Sequence, residues 1–413
     1  MVAADSVRAL ADIAGDAEIV FNNAGIFLPE PLLTGSFEQM AAHGGGAIVN
    51  MHSVLSWLGG SGAYGASKAA IWSLTNSLRG ELTSHNTQFV GVHAGFLENP
   101  YQSLGDDMSS DQLFLITGAT GNTGAPTVEN LLEAGHRVRA FVHRADQRSE
   151  ALAAVGAEIV EGDLLDFHAV SSAMSGVSAA YFCYPIAPGG LLTATTIFAQ
   201  AASEAGVAAV VNMSQISARR EAKSHAAQQH WLAERLLDRS AFLTTHLRPT
   251  FFAEWLKWQW LRNDDEGVLQ LPLGDGRHAP ISGRDQANVI AAVLQNPAPH
   301  NRQIYPLVGA QELDHYAIAD QIADTLGIPV RYEPVDIPAF AAALTAQGKT
   351  DFFVQHISSV AQDYRDGIFA GENNLVEVIS GHKPMTVADF VNANRSEFQH
   401  NGRSAVGGKL THA

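Results

Sequence analysis

Three glycines, Gly118-x-x-Gly121-x-x-Gly124, follow the apolar run Leu113-Phe114-Leu115-Ile116-Thr117 and precede an amphipathic run over 125–134. Between a strand and a helix, that spacing suits a dinucleotide. The first glycine permits a tight turn. The second lets the backbone approach a pyrophosphate, and the third lets helix and strand pack closely. The anion then rests on a helix N-terminus, where free N–H groups and the helix dipole favour negative charge. Thr120, Asn122 and Thr123 fill the turn and complete the candidate phosphate grip. The next strand ends Phe141-Val142-His143-Arg144, with Arg148 close behind. NAD sites usually place an acid there for the ribose hydroxyls, whereas Arg144 suits a 2′-phosphate and so favours NADP. Gly162-Asp163-Leu164 follows a third strand. Two roles are open to Asp163: accepting from an adenine amino group, or capping the next helix.

These residues need a frame that brings strand ends to one edge. The spacing predicts strands over 113–117, 138–142, 158–160, 179–183 and 208–213, with helices over 125–134, 167–174 and 192–205 between them. Strands alternating with helical runs imply an α/β fold, a doubly wound parallel sheet. A smaller C-terminal lobe is expected from about residue 254. The polar run Gly105-Asp106-Asp107-Met108-Ser109-Ser110-Asp111 reads as a linker between segments 1–107 and 108–413. The first segment shows only part of the alternation: a helix over 6–13, strands over 18–21, 47–50 and 88–92, and a helix over 64–82.

Length and composition narrow the classes. At about 150 residues per domain, 413 residues make two to three units. With 46% apolar and 16% charged residues, a core can be buried and a disordered chain is excluded. Lys plus Arg number 25 and Asp plus Glu 42, so the net charge is 25 − 42 = −17. Both segments share the excess, which argues against a nucleic-acid partner and against anionic membrane surfaces. Cys183 is the single cysteine, so an intramolecular disulfide and a Cys-based zinc site are ruled out. No apolar stretch reaches bilayer length, and a cytoplasmic protein is the expectation. The 17 histidines show no metal-ligand spacing, and no metal is expected.

With these residues in place, 112–398 resembles the NmrA-like, atypical short-chain dehydrogenases, Rossmann-like in fold. Within that family the resemblance is to the NADPH-dependent quinone and dye reductases. It is carried by Thr117-Gly118-Ala119-Thr120-Gly121-Asn122-Thr123-Gly124, Glu161-Gly162-Asp163, Met213-Ser214, His230-Trp231-Leu232-Ala233-Glu234, Leu247-Arg248-Pro249 and Ile379-Ser380-Gly381-His382-Lys383-Pro384. The resemblance implies NADP(H) as cofactor, and a nicotinamide pocket lined by Tyr184-Pro185 and Ser214. His230 and Glu234 stand where the wider superfamily carries a Tyr-x-x-x-Lys pair. His230 is then the candidate to orient substrate or donate a proton, with a half-buried helix residue as the plain alternative. Glu234 reads as an i,i+4 surface or capping partner. A quinone or dye is already electrophilic and needs less acid help than a ketone. The run Phe251, Phe252, Trp255, Trp258 and Trp260 suits either a flat wall for a planar acceptor or core packing. The implied activity is NADPH-dependent hydride transfer to a small planar electrophile such as a quinone. The rival is an NADP redox sensor that binds a regulatory protein without turnover; a homo-oligomer is also open.

Segment 18–95 resembles the Tyr-Lys short-chain dehydrogenases, through Asn22-Asn23-Ala24-Gly25, Ile48-Val49-Asn50-Met51-His52-Ser53 and Tyr64-Gly65-Ala66-Ser67-Lys68. The resemblance makes Tyr64 a general acid, Lys68 its pKa-lowering neighbour and Ser53 the carbonyl-orienting hydroxyl. A cation beside a phenol favours the phenolate. The family's glycine-rich first turn is absent here, and the segment reads as a relict or fusion scar.

Overall fold

The chain divides into two units, Met1–Asn99 and Pro100–Ala413. The computed structural model describes residues 18–22, 46–53, 87–94, 112–263, 265–399 and 402–403. In the first unit, strands β1 (Glu18–Asn22), β2 (Gly46–Ser53) and β3 (Thr87–Ala94) form a parallel sheet in that order. Ser53 is the last residue of β2. Tyr64, Lys68 and the two helices expected in this unit lie outside the described residues.

The second unit opens with β4 (Leu113–Thr117), buried at every position. A strand covered on both faces carries an unbroken apolar run, which is why periodicity alone located it. Then follow α1 (Gly124–Glu133), β5 (Arg137–Val142), α2 (Gln147–Ala154), β6 (Glu158–Glu161), α3 (Phe167–Ala173), β7 (Ala179–Phe182), α4 (Gly190–Glu204), β8 (Ala209–Met213), α5 (His225–Leu237) and β9 (Leu243–Pro249). The C-terminal part adds α6 (Trp255–Trp258), β10 (Trp260–Arg262), β11 (Gly267–Leu271), β12 (Arg277–His278), α7 (Gly283–Gln295), β13 (Gln303–Leu307), β14 (Leu313–Asp314), α8 (His315–Leu326), β15 (Val330–Pro334), α9 (Ile337–Ala346), α10 (Asp351–Arg365), three short helices and β16 (Gly402–Arg403).

Seven of these strands form one sheet in the order β13-β9-β8-β7-β4-β5-β6, and each pairing is parallel. This is the doubly wound sheet that the alternation implied. Alternate residues of β4 serve opposite faces, as a strand's period of two requires. Phe114 and Ile116 join Val128 and Leu131 of α1 and Ile290 of α7 in one core, while Leu113 and Leu115 join Val170, Phe198 and Leu237 in another. A third core, built from Trp258, Trp260, Ile318, Val360 and Tyr364, belongs to the C-terminal part.

The sheet's winding reverses between β4 and β7, and in open α/β sheets ligands bind at the carboxyl ends of strands beside such a reversal. There the turn after Thr117 meets Cys183 and Tyr184 beyond β7. Among the described residues no helix is long and apolar enough to cross a membrane.

Candidate active site

At that edge lies a cleft of about 260 Å³, walled by the glycine turn, by Tyr184 and Pro185, by Ser214 and Gln215, and by residues from the C-terminal part. Gly118 holds φ +57, a left-handed backbone that side chains rarely adopt. Its carbonyl accepts from Gly121 N–H at 2.9 Å and closes the turn. A Cβ on Gly124 would collide with that same Gly118 carbonyl, so the third glycine sets how closely α1 meets the turn. No side chain caps α1. Ala125 and Thr127 N–H already donate to the Gly121 and Thr123 carbonyls at 3.1 and 3.2 Å and Pro126 has none, so the candidate anion donors are the amides of the turn itself, up to Gly124. Thr123 Oγ1 lies 2.9 Å from the Tyr181 hydroxyl and fixes the turn to β7. Asn122 is exposed and lines the cleft, and Thr120 is half-buried.

Beyond β5, Arg144 is exposed and pairs with nothing among the described residues. Arg148 is already taken: its guanidinium donates to Asp146 Oδ2 at 2.9 and 2.8 Å. Asp146 also caps α2 through Arg148 N–H and Ser149 N–H. Asp146, the first acid along the chain after this strand, is therefore committed to a helix terminus and an ion pair. Of the two roles open to Asp163, the cap falls to Asp166, which accepts from His168 and Ala169 N–H at 2.8 and 3.3 Å. Asp163 accepts from Leu165 N–H at 2.9 Å and is exposed. Its charge, after burial, helps raise the pKa of Tyr184.

The residues standing for Tyr and Lys are arranged differently from the sequence expectation. Glu234 is not a surface partner but fully buried. It accepts from Ser214 Oγ at 2.6 Å, and from Arg248 Nε and a terminal Arg248 nitrogen at 2.8 and 2.6 Å. The i,i+4 spacing was right, but the face it marks is covered by β8 and β9. His230, one turn earlier, is 7% exposed and lines the cleft. Burial pushes its pKa down to about 4, against the pull of Glu234 and with the help of the Arg248 charge. Its imidazole is neutral at pH 7.

The sequence reading did not single out His356. It comes from α10, lines the same cleft, and its Nδ1 lies 2.7 Å from Ser224 Oγ. Burial and the neighbouring His230 push its pKa down to about 3. Nothing local in the sequence marks it, since only the fold of the C-terminal part brings α10 to α5. The aromatic run is split. Phe251, Phe252 and Trp255 line the cleft, with Phe251 stacked on Phe369 at 4.6 Å between centroids, whereas Trp258 and Trp260 are core. Burial lifts the Cys183 thiol to about 11, which leaves it inert as a nucleophile.

The cleft fits a dinucleotide on its own terms. The turn leaves room only for backbone at the pyrophosphate position. Two buried polar atoms on the cleft wall, Gln215 Nε2 and Thr250 Oγ1, have no protein partner among the described residues, and a carboxamide has the groups to satisfy them. Residues 118–297 match the family of NAD(P)H-binding proteins. The chain carries an NAD(P)H-binding domain. Residues 31–107 match the short chain dehydrogenase family. The NAD(P)H azoreductase of Xenophilus azovorans is 27% identical over 288 residues, 69% of this chain and 99% of that protein. Quinone oxidoreductase 2 of Escherichia coli is 27% identical over 282 residues, 68% and 97%. A crystal structure of the NADPH-dependent quinone oxidoreductase of Escherichia coli complexed with NADPH superposes with a TM-score of 0.60 at 25% identity, covering 68% of this chain and 99% of that one. Among the described residues no group of three or more His, Cys, Asp or Glu could hold a metal ion.

Proposed function

We propose that the protein is an NAD(P)H-dependent oxidoreductase that uses NADPH to reduce a small planar electrophile, a quinone or an azo compound. One observation carries the reading: the glycine turn and an apolar aromatic wall meet in a single cleft whose polar floor is two neutral imidazoles. When bound, the nicotinamide supplies hydride. Gly118, Thr120, Gly121, Asn122, Thr123 and Gly124 grip the pyrophosphate, Arg144 takes the 2′-phosphate, Asp163 faces the adenine side, and Tyr184, Pro185 and Ser214 border the nicotinamide. Phe251, Phe369 and Trp255 exclude water and hold a flat acceptor against the reacting face. His230 lies beside the acceptor as a neutral hydrogen-bonding group. The first unit's Tyr64, Lys68 and Ser53 take no part in this reaction.

A quinone or azo substrate agrees with the names of the relatives. The sensor alternative has less behind it, because those relatives are reductases by name. Its solvent setting is read as the cytoplasm, where NADPH is kept reduced. The test is NADPH consumption by the full chain with a panel of quinones and azo dyes. Turnover with at least one acceptor is expected, and none with any acceptor overturns the reading.

A further inference from the structure

We propose that His356, carried into the cleft by α10, is a further catalytic residue: its Nε2–H donates to the acceptor oxygen on which charge gathers during reduction. The inference rests on the reductase reading above and adds a residue to it.

Ser224 decides the tautomer. Its side chain is fully buried, and its oxygen accepts from Ala227 N–H at 3.0 Å at the start of α5. The same oxygen lies 2.7 Å from His356 Nδ1, and no other acceptor for its hydrogen is present among the described residues. A buried hydroxyl hydrogen left unpaired is destabilising. The hydroxyl therefore donates to Nδ1. A neutral ring that accepts at Nδ1 carries its hydrogen on Nε2. Burial holds the ring neutral, so that assignment applies at pH 7. No described residue pairs with Nε2, and it is not sealed from solvent, while the ring lines the cleft.

This sets His356 apart from His230, whose ring nitrogens have no hydrogen-bond partner among the described residues. The position of the His230 proton is thus left to the ligand, whereas that of His356 is fixed before a ligand arrives. A donor whose hydrogen is placed before the ligand arrives needs no reorganisation when charge develops. The balance is simple. A quinone takes up one hydride, two electrons with one hydrogen, and its oxygen gains negative charge. A proton from solvent then completes the hydroquinone. His356 lends a hydrogen bond and keeps its own proton.

The experiment uses the full chain with NADPH and 1,4-naphthoquinone. His356→Asn keeps a polar atom near Ser224 but has none at the Nε2 position, whereas His356→Gln can place an amide N–H there. For His356→Asn, kcat falls about tenfold or more with KM for NADPH unchanged, and His356→Gln recovers part of it. Independently, 15N imidazole spectra of the protein without cofactor show His356 as the Nε2–H tautomer, and Ser224→Ala turns it into a mixture. An active wild type with an equally active His356→Asn overturns this inference alone, as does an Nδ1–H tautomer in the wild type. A wild type that reduces no quinone or azo acceptor overturns the reductase reading and this inference with it. The wild-type spectrum needs no variant, so a substitution that fails to fold leaves the tautomer test standing.

Discussion

Glu234 and Arg144 show two ways in which a single residue carries the site. Glu234 is fully buried, and its charge is balanced by Arg248, whose side chain is 20% exposed. Removing the carboxylate leaves a guanidinium in a mostly closed site. Glu234→Ala is therefore expected to cost about 3 kcal/mol in denaturant unfolding, somewhat less if water reaches Arg248. Ser214→Ala removes one hydrogen bond to the same carboxylate and costs about 1 kcal/mol. Comparable costs for the two variants would show that the ion pair adds little. Arg144 is the opposite case, an exposed cation with nothing to stabilise in the described fold. Arg144→Ala is expected to leave thermal stability alone and to raise KM for NADPH about tenfold or more, with KM for NADH unmoved. Equal effects on both cofactors would remove it from the 2′-phosphate. The place of Arg144 just beyond β5 was legible because it follows from counting to a strand end. The partners of Glu234 were not, because spacing names a helix face without saying which distant strand covers it.

At the scale of the element, the turn between β4 and α1 is the part most open to a steric test. Gly124→Ala places a methyl group against the Gly118 carbonyl, a backbone atom that cannot swing aside. Overpacking of this kind costs about 1–3 kcal/mol and shifts the start of α1. NADPH affinity by titration is expected to fall more than thermal stability does; a variant that binds as the wild type does would break the link between that glycine and the pyrophosphate. Five of the seven strands of the large sheet, β4 to β8, were legible from apolar runs, with differences only at their ends, whereas β9 and β13 were not read as strands. The helix expected from residue 192 begins at Gly190, because Gly189 adopts φ +70 and turns the chain earlier. The aromatic run 251–260 resisted a single reading for a plain reason. It starts just beyond β9, runs through a four-residue helix and ends at the first residue of β10, so no one periodicity sorts wall from core.

At the scale of the molecule, several buried histidines share one direction of shift. Burial lowers the pKa of His230 and His315 to about 4, of His356 to about 3, and of His278 well below its usual value. Each binds a proton less readily folded than unfolded, so below pH 6.5 the unfolded chain takes up the excess. Their contribution to stability is complete above pH 6.5 and is lost as pH falls towards 4. The melting temperature is expected to drop across that window, and less steeply in His315→Phe; a flat profile from 6.5 to 4 would contradict the buried neutral rings. About two thirds of this chain matches these relatives over nearly their whole lengths, and the NAD(P)H-binding match, residues 118–297, lies wholly in the second unit. Residues 108–413 alone are therefore expected to consume NADPH at the rate of the full chain, and Tyr64→Phe to change nothing. A clear loss in either would bring the first unit into the reaction. The division of labour around the cleft has a practical outcome. The nucleotide is held by turns of the seven-stranded sheet, whereas much of the surface an acceptor meets comes from Phe251, Trp255, Phe369 and α10. On the proposed reading, replacing those surfaces is expected to redirect the choice of acceptor while the hold on the nucleotide stays as it was.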